Sequence, residues 1–510
     1  MMNAPAARLK QSPESDRHPR EIELKLELAS GTFDDLLAHP ALPLLSALPG
    51  QSGQLHAIYF DTADHALRRE GISLRIRHKN GSTIQTIKAE GAHGSLIMDR
   101  GEWETPVNDR LDLSAAAGTP LASLTSDEAT RRSIGPIFTI DTDRKAYETE
   151  FDGSLIEVSL DRSRVSVMQQ EMTFLEIELE LKMGSPAALF ALARRLSEAA
   201  PLRLSILAKS ARGYRLLNTA SLKPSHSKPI ELPKEATCAE AFQIIARSCL
   251  SQMLYNEVLV RQTQDPEALH QTRVGLRRLR SALSLFGKQL LTDPESAGMK
   301  SDLRWAGQAM GKVRDLDVLL ERIRSSKPEY DKSQANRVER IRGEAHRDLL
   351  EILNSRRFME TILKAAAWIE AGTWTAADAR ARKQPVLDFA TSELSRRFKR
   401  IRKTGNRLRK RSEEERHELR IRIKKLRYGT EFFASLFPKA KAQKRRQKLA
   451  SLLGKLQDTL GEVHDLAVSG SLVPSLVETA PRRAERRRDK LLDKSKKTAK
   501  SLFKIEPFWL

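Results

Sequence analysis

Glu21-Ile22-Glu23-Leu24-Lys25-Leu26-Glu27-Leu28 is the stretch on which the fold turns. Successive side chains of a strand point to opposite faces. Glu21, Glu23, Lys25 and Glu27 therefore share one face, and Ile22, Leu24, Leu26 and Leu28 the other. The pattern returns at Leu175-Glu176-Ile177-Glu178-Leu179-Glu180-Leu181, and basic counterparts stand at Leu74-Arg75-Ile76-Arg77 and Thr86-Ile87-Lys88. Arg100, Glu102 and Glu104 alternate in a third style, and Arg144, Glu157 and Asp161 follow. For any one such strand the ordinary reading is a one-sided antiparallel sheet with a charged, wet face. Neighbouring carboxylates on one face repel, however, unless cations lie opposite. A closed barrel supplies them, with apolar side chains directed outward to covering helices and charges into a lumen. Clustered carboxylate oxygens suit Mg²⁺ or Mn²⁺. Arg and Lys clusters suit phosphate oxygens. Both sets in one lumen describe a metal–polyphosphate site.

Charge and texture divide the chain of 510 residues, which is long enough for two or three domains. Residues 1–220 hold 26 Lys+Arg and 30 Asp+Glu, a net of −4. The remainder holds 88−26 = 62 basic and 66−30 = 36 acidic residues, a net of +26. The first part has short alternating segments broken by turn residues, and the second has long stretches rich in Leu, Ala, Arg, Lys and Glu. Leu222-Lys223-Pro224-Ser225-His226-Ser227-Lys228-Pro229 separates them as a linker composition. The fold expected is thus multidomain: an N-terminal α+β part with an antiparallel β-tunnel at 21–217 after a flexible stretch 1–20, a linker at 218–232, and an all-α duplicated bundle at 233–505. No apolar run approaches the ~18 residues of a membrane span, and the first twenty residues lack a signal-peptide core. Cys238 and Cys249 alone make no disulfide framework, so a cytoplasmic setting is expected.

The opening Glu-x-Glu-x-Lys, with Tyr59-Phe60-Asp61-Thr62, the Arg75/Arg77 pair, Lys88, Arg100, Glu102, Glu104, Arg144, the Glu176–Glu180 ladder, and Lys209 followed by Ala211-Arg212-Gly213-Tyr214, resembles the CYTH superfamily, the triphosphate tunnel metalloenzymes. The resemblance implies an eight-stranded antiparallel tunnel acting on triphosphates with a divalent metal, Mg²⁺ or Mn²⁺. It implies Glu21, Glu23, Lys25, Arg75, Arg77 and Lys88 as catalytic. It implies Glu21, Glu23, Glu176 and Glu178 as metal ligands, with Glu104 and Glu157 as further acids. Glu180 offers a second register for the acidic pair, and Asp161 an alternative to Glu157. Lys25, Arg75, Arg77, Lys88, Arg100, Arg144, Lys209 and Arg212 are the phosphate grips it implies. The sequence has no Ser or Cys nucleophile arrangement and no P-loop, so a covalent intermediate is not favoured.

The rear part repeats itself. Leu269-His270-Gln271-Thr272-Arg273-Val274-Gly275-Leu276-Arg277-Arg278-Leu279-Arg280 recurs 147 residues later as Arg416-His417-Glu418-Leu419-Arg420-Ile421-Arg422-Ile423-Lys424-Lys425-Leu426-Arg427. Gly311-Lys312-Val313-Arg314-Asp315-Leu316-Asp317 matches Gly461-Glu462-Val463-His464-Asp465-Leu466-Ala467 at an offset of 150. His270, Arg273, Arg277 and Arg280 lie on one helical face by their 3, 4, 3 spacing, as do His417, Arg420, Lys424 and Arg427. Each row places cations about one turn, roughly 5 Å, apart. A solvated charged face is the ordinary reading of such a row. Like charges at i,i+3/i+4 repel unless an anion joins them, and the row occurs twice. A phosphate chain is the natural partner, with each His serving as a donor whether neutral or protonated. Asp315 and Asp465 are expected to orient basic residues. The segment resembles the CHAD domain, whose implication is binding of long-chain inorganic polyphosphate, often at polyphosphate granules.

The leading function is metal-dependent hydrolysis of inorganic tripolyphosphate to pyrophosphate plus phosphate, tethered to a polyphosphate-binding module. Adenylate cyclisation, or hydrolysis of thiamine or nucleoside triphosphates, would keep the fold and change the substrate. A non-enzymatic nucleic-acid binder is the third reading, disfavoured because aromatics make up only 5% of the chain and do not interleave with the basic rows.

Overall fold

A computed structural model describes residues 20–40, 42, 44–89, 96–217, 223–325, 332–376, 378–405, 408–472 and 481–510. The stretch expected to be flexible, 1–20, lies almost wholly outside them. The chain forms two compact units, 1–222 and 223–510.

The first unit is built on ten strands: β1 (Arg20–Leu28), β2 (Ser46–Ala47), β3 (Gly53–Asp61), β4 (Ile72–Lys79), β5 (Ser82–Ala89), β6 (Met98–Pro106), β7 (Gly135–Phe151), β8 (Ser154–Val167), β9 (Gln170–Met183) and β10 (Leu202–Ser205). Eight of them run in the order β1-β6-β5-β4-β3-β7-β8-β9, all antiparallel, and β9 returns to β1. That last pairing closes the sheet into a tunnel. The short β10 and β2 pair with the ends of β1 and β7, on the edges that β6 and β3 occupy further along. Asn80-Gly81 and Asp152-Gly153 all have positive φ, the geometry of two-residue hairpins whose twist matches the flanking strands.

Alternation sorts the side chains as the sequence suggests. Leu24 and Leu26 are fully buried on the outer side of β1, where helix α1 (Pro186–Ala199) packs on β1 and β9 with Leu189, Phe190 and Leu196. A second outer layer covers β4 and β5, with Leu67, Leu74, Ile87, Ala116 and Leu121 in one apolar cluster. Helix α2 (Lys209–Leu217) packs on β7, β8 and β9, and its Tyr214 joins Ala57, Tyr59, Phe138 and Ile140. Ala57, Tyr59 and Ile140 also line the lumen, so α2 stoppers one end of it.

The second unit is helical. Its long helices are α3 (Cys238–Gln262), α4 (Pro266–Phe286), α5 (Pro294–Ala309), α6 (Gly311–Ser325), α7 (Lys332–Asn354), α8 (Arg356–Ala371), α9 (Val386–Gly405), α10 (Glu413–Phe432), α11 (Ala440–Leu472) and α12 (Pro481–Phe503). Thr237 with Glu240 and Ser412 with Glu415 form capping boxes that start α3 and α10. Asp265 caps α4, with Pro266 at its first position. Phe242, Phe286, Trp368, Trp374, Phe389 and Phe433 form a linked set of ring contacts in the core. The two helices carrying the repeated basic motif, α4 and α10, pack against each other. Among the described residues, no helix is long and apolar enough to cross a membrane.

Candidate functional site

The tunnel encloses a cavity of about 280 Å³. Eight carboxylates line it: Glu21, Glu23, Glu102, Glu104, Glu157, Asp161, Glu178 and Glu180. Nine basic groups face them: Lys25, Arg75, Arg77, Lys79, Lys88, Arg100, Arg144, Lys182 and Lys209. Strand register explains the convergence. Glu23, Glu180 and Glu157 stand side by side across β1, β9 and β8, and Lys25 pairs with Glu178 one step along. Arg75 lies between Tyr59 and Thr86 on β3 and β5, with Glu104 one strand further.

The carboxylates are engaged by cations of the chain. Lys88 Nζ lies 2.6 Å from Glu21 and 3.0 Å from Glu102, and Arg100 binds Glu21 and Glu23. Arg144 makes a two-pronged contact with Asp161 at 2.7 and 2.6 Å and also reaches Glu178. Lys25 binds Glu178, and Lys209 of α2 reaches Asp161 at 2.7 Å and Glu178 at 2.6 Å. Arg77 binds Glu104 at 3.0 Å. Lys182 spans Glu180 at 2.8 Å and Glu157 at 3.1 Å.

These pairings fix charge states. Burial alone would lower the Lys25 pKa, but Glu178, Glu23 and Glu176 raise it, so the ammonium stays charged. Burial likewise opposes ionisation of Glu178, and Lys209, Lys25 and Arg144 overcome it and hold its carboxyl well below the usual range. Glu180 goes the other way. Burial raises its pKa and Glu21 and Glu157 add to this, against the pull of Lys182. Arg75, burial and Arg144 push the Arg77 guanidinium down to about 10. Tyr59 is lowered because Arg75, bonded to its hydroxyl at 3.5 Å, outweighs the cost of burial.

Two expected site residues lie deeper than the open cavity, on the inner side of the sheet. Glu176 is fully buried and bound by Arg212, Lys209 and Lys25. Arg212 stacks over Phe174 at 4.2 Å and binds Glu27 at 3.0 Å. Neither lines the open cavity, although Glu176 shares its strand face with Glu178 and Glu180. The Glu ladder thus presents Glu178 and Glu180 to the lumen. Four lining residues outside the expected site set are Lys79, Lys182, Glu102 and Tyr59. The first two continue the alternation of Arg75/Arg77 and of Glu178/Glu180 by one more step, a signal already present in the sequence.

The donor set is oxygen-only, hard and anionic, which fits Mg²⁺ or Mn²⁺. Among the described residues, no three His, Cys, Asp or Glu side chains converge on one point as they stand. A divalent ion entering here would compete with the chain's own cations for these oxygens.

In the helical unit all eight members of the two rows are half-buried. Arg273 donates to Gly307 O at 3.0 Å. Its guanidinium lies 3.4 Å from where a Cβ on Gly311 would sit, and Arg420 lies 3.1 Å from the equivalent point on Gly461. The repeat thus recurs in space, each Arg passing over the glycine of its partner motif. Burial with Arg420, Arg277, Arg427 and Arg273 pushes Lys424 down to about 7, so cations of both rows meet around it. Burial, then Arg314 and Arg277, push His270 down to about 4, making it neutral at pH 7. Asp315 faces Arg273, as expected. The side chains of His464 and Asp465 lie outside the described residues. Arg278, next to the row but off its face, donates to Gln252 Oε1 in the core at 2.7 Å.

The first unit is a closed β-tunnel lined by charge, and the second carries a twice-repeated cationic helix. The chain carries a CYTH domain, whose family model matches residues 19–214, and a CHAD domain, matched at 244–474. Among curated proteins it is similar to an inorganic triphosphatase of Haemophilus influenzae, 30% identical over 198 residues. That match takes in 39% of this chain and 55% of the relative, so the chain spans about half of that protein. Among solved structures, the CHAD domain of the plant Ricinus communis matches 55% of this chain and 97% of its own at 29% identity and a TM-score of 0.45. A Hippeastrum protein described as an adenylyl cyclase with a dominant triphosphatase activity matches 40% of this chain and 98% of its own, at 21% identity and a TM-score of 0.27.

Proposed function

We propose that the tunnel is a metal-dependent inorganic triphosphatase and that the helical unit binds long-chain polyphosphate. The observation that carries this reading is the meeting of eight carboxylates and nine cations in one closed lumen. Apart from Leu55, Ala57, Tyr59, Ile140 and Ala208, that lumen is lined by polar and charged residues, with little apolar surface for an organic group. A short inorganic phosphate chain is favoured over a nucleotide.

Arg75, Arg77, Lys88 and Arg144 would grip the phosphate oxygens, and Lys25 and Lys209, held charged by their acidic partners, would act as fixed cations rather than proton acceptors. Such positioned charge supplies most of the rate acceleration in phosphoryl transfer. Glu23, Glu180 and Glu157 would hold Mg²⁺ or Mn²⁺, with Glu21, Glu104 and Glu178 beside them. The ion would supply charge neutralisation at the phosphate oxygens. The plug α2 excludes bulk water from one end.

In the helical unit, Arg273, Arg277, Arg280, Arg420, Lys424 and Arg427 would replace mutual repulsion with bonds to phosphate, and neutral His270 would donate a hydrogen bond. His417 opens the second row in the same position.

A phosphate-release panel over tripolyphosphate, ATP and long-chain polyphosphate, with Mg²⁺, Mn²⁺ or chelator, tests the enzymatic half. Release from tripolyphosphate that needs metal and exceeds release from ATP is expected. Formation of cyclic AMP with tripolyphosphate left intact would overturn it. Competition between polyphosphate and RNA at fixed salt tests the other half, and RNA binding that resists polyphosphate would overturn that.

A further inference from the structure

We propose that Lys182 is a tethered competitor for the metal, its ammonium holding the oxygens of Glu157 and Glu180 that a divalent ion must take. This rests on the triphosphatase reading of the tunnel and assigns the residue that sets how much metal the site requires.

Lys182 lies on the lumen face of β9, two residues beyond Glu180, and lines the same cavity. Its Nζ is 2.8 Å from Glu180 and 3.1 Å from Glu157. Those two carboxylates and Glu23 form the acidic row across β8, β9 and β1. The other cations in contact with lumen acids are deeper. The Lys25 side chain is 3% exposed and Lys209 11%, whereas Lys182 is 37% exposed. A half-exposed ammonium is well solvated when it leaves, so its pairs are weak and exchangeable. A buried one is costly to separate from its partner. An incoming Mg²⁺ or Mn²⁺ therefore displaces Lys182 first, and the lysine swings to water at the tunnel mouth. Lys79 is the internal control. It carries the same charge into the same lumen, but its Nζ bonds the Gln51 amide oxygen at 2.9 Å rather than a carboxylate.

The test measures Mn²⁺ binding directly, by the loss of the free-ion electron paramagnetic resonance signal, on the full chain without substrate. Lys182→Met is expected to tighten the Kd for Mn²⁺ about fivefold, the size expected for releasing two exchangeable ion pairs. Lys182→Arg should stay within about twofold of the unaltered protein, and so should Lys79→Met, which removes charge without freeing a carboxylate. Lys182→Gln carries the same loss of charge and decides the matter if the Met variant does not fold. An unchanged or weakened Kd in both neutral variants would overturn the proposal. So would an unchanged Mn²⁺ Kd with a raised KM for tripolyphosphate, since Lys182 would then be a phosphate contact. An unaltered protein that neither binds Mn²⁺ nor releases phosphate would instead sink the triphosphatase reading itself.

Discussion

Lys25 and Lys424 are the same residue type in opposite situations. Lys25 is fully enclosed by the tunnel, yet Glu178, Glu23 and Glu176 hold it charged against burial. Lys424 stands among Arg420, Arg277, Arg427 and Arg273, and burial with these like charges pushes it down to about 7. The tunnel compensates its charges internally, and the two helical rows leave cations facing cations. A compensated lumen can exchange one set of ionic bonds for another as a metal and a phosphate chain enter. Uncompensated rows gain most when an anion lies between them. On the proposed reading, the same alphabet of side chains would serve chemistry in one domain and capture in the other.

The largest expected effect separates the two roles. Glu21→Gln with Glu23→Gln should lower metal-dependent phosphate release by roughly a thousandfold, since it removes charges placed at the reacting centre. Polyphosphate binding by the same protein, measured by fluorescence anisotropy, should not move. Loss of both in a folded protein would break the comparison. Next comes the converse. Arg273→Ala with Arg420→Ala should weaken polyphosphate binding roughly 30-fold to 150-fold, from two charge-assisted contacts of about 1–1.5 kcal/mol each. Hydrolysis of tripolyphosphate should be kept.

A smaller effect comes from protonation. Lys424 is protonated below pH 7, and bound phosphate raises its pKa. Polyphosphate affinity should therefore fall as pH rises through 7, by about tenfold for each unit that the ligand restores. Calorimetry in buffers of different ionisation enthalpy should show proton uptake near pH 7.5, and Lys424→Arg should flatten the profile. The linkage to stability has the opposite sign. Between pH 7 and the ordinary lysine range the unfolded chain binds the extra proton, so this residue's destabilising contribution is full below 7 and is relieved as pH rises. The smallest effect compares the two repeats. A Cβ on Gly461 sits 3.1 Å from Arg420, against 3.4 Å for Gly311 and Arg273. Gly461→Ala should cost about threefold in affinity and Gly311→Ala less than twofold, since small packing strain of this kind costs of order 1 kcal/mol or below.

Much of this is legible in the sequence because both domains write function in a period. Period-two alternation places Glu21, Glu23, Lys25, Arg75, Arg77 and Lys88 on one face, and 3, 4, 3 spacing does the same for His270 through Arg280. What local period cannot show is which faces meet. The closing contact of β1 with β9 joins Lys25 to Glu178 across 153 residues, and that register sets Glu178 and Glu180 beside the open cavity and Glu176 deeper on the same face. The gathering of the two basic rows around Lys424 is likewise a tertiary fact. Composition misses local packing too. Residues 223–232 have a linker's prolines and serines, yet Ile230 and Leu232 are buried, and the Leu232 N–H donates to the Ser435 hydroxyl at 2.9 Å. That strap belongs to the helical unit.

Anomalous diffraction from crystals of the full chain grown with Mn²⁺ and a non-hydrolysable tripolyphosphate analogue tests the central claim most directly. The account expects a manganese peak inside the β-tunnel against Glu23, Glu157 and Glu180, with the phosphate chain running from it along Arg75 and Arg77. Manganese bound only outside the barrel, with the analogue absent from the lumen, would contradict it.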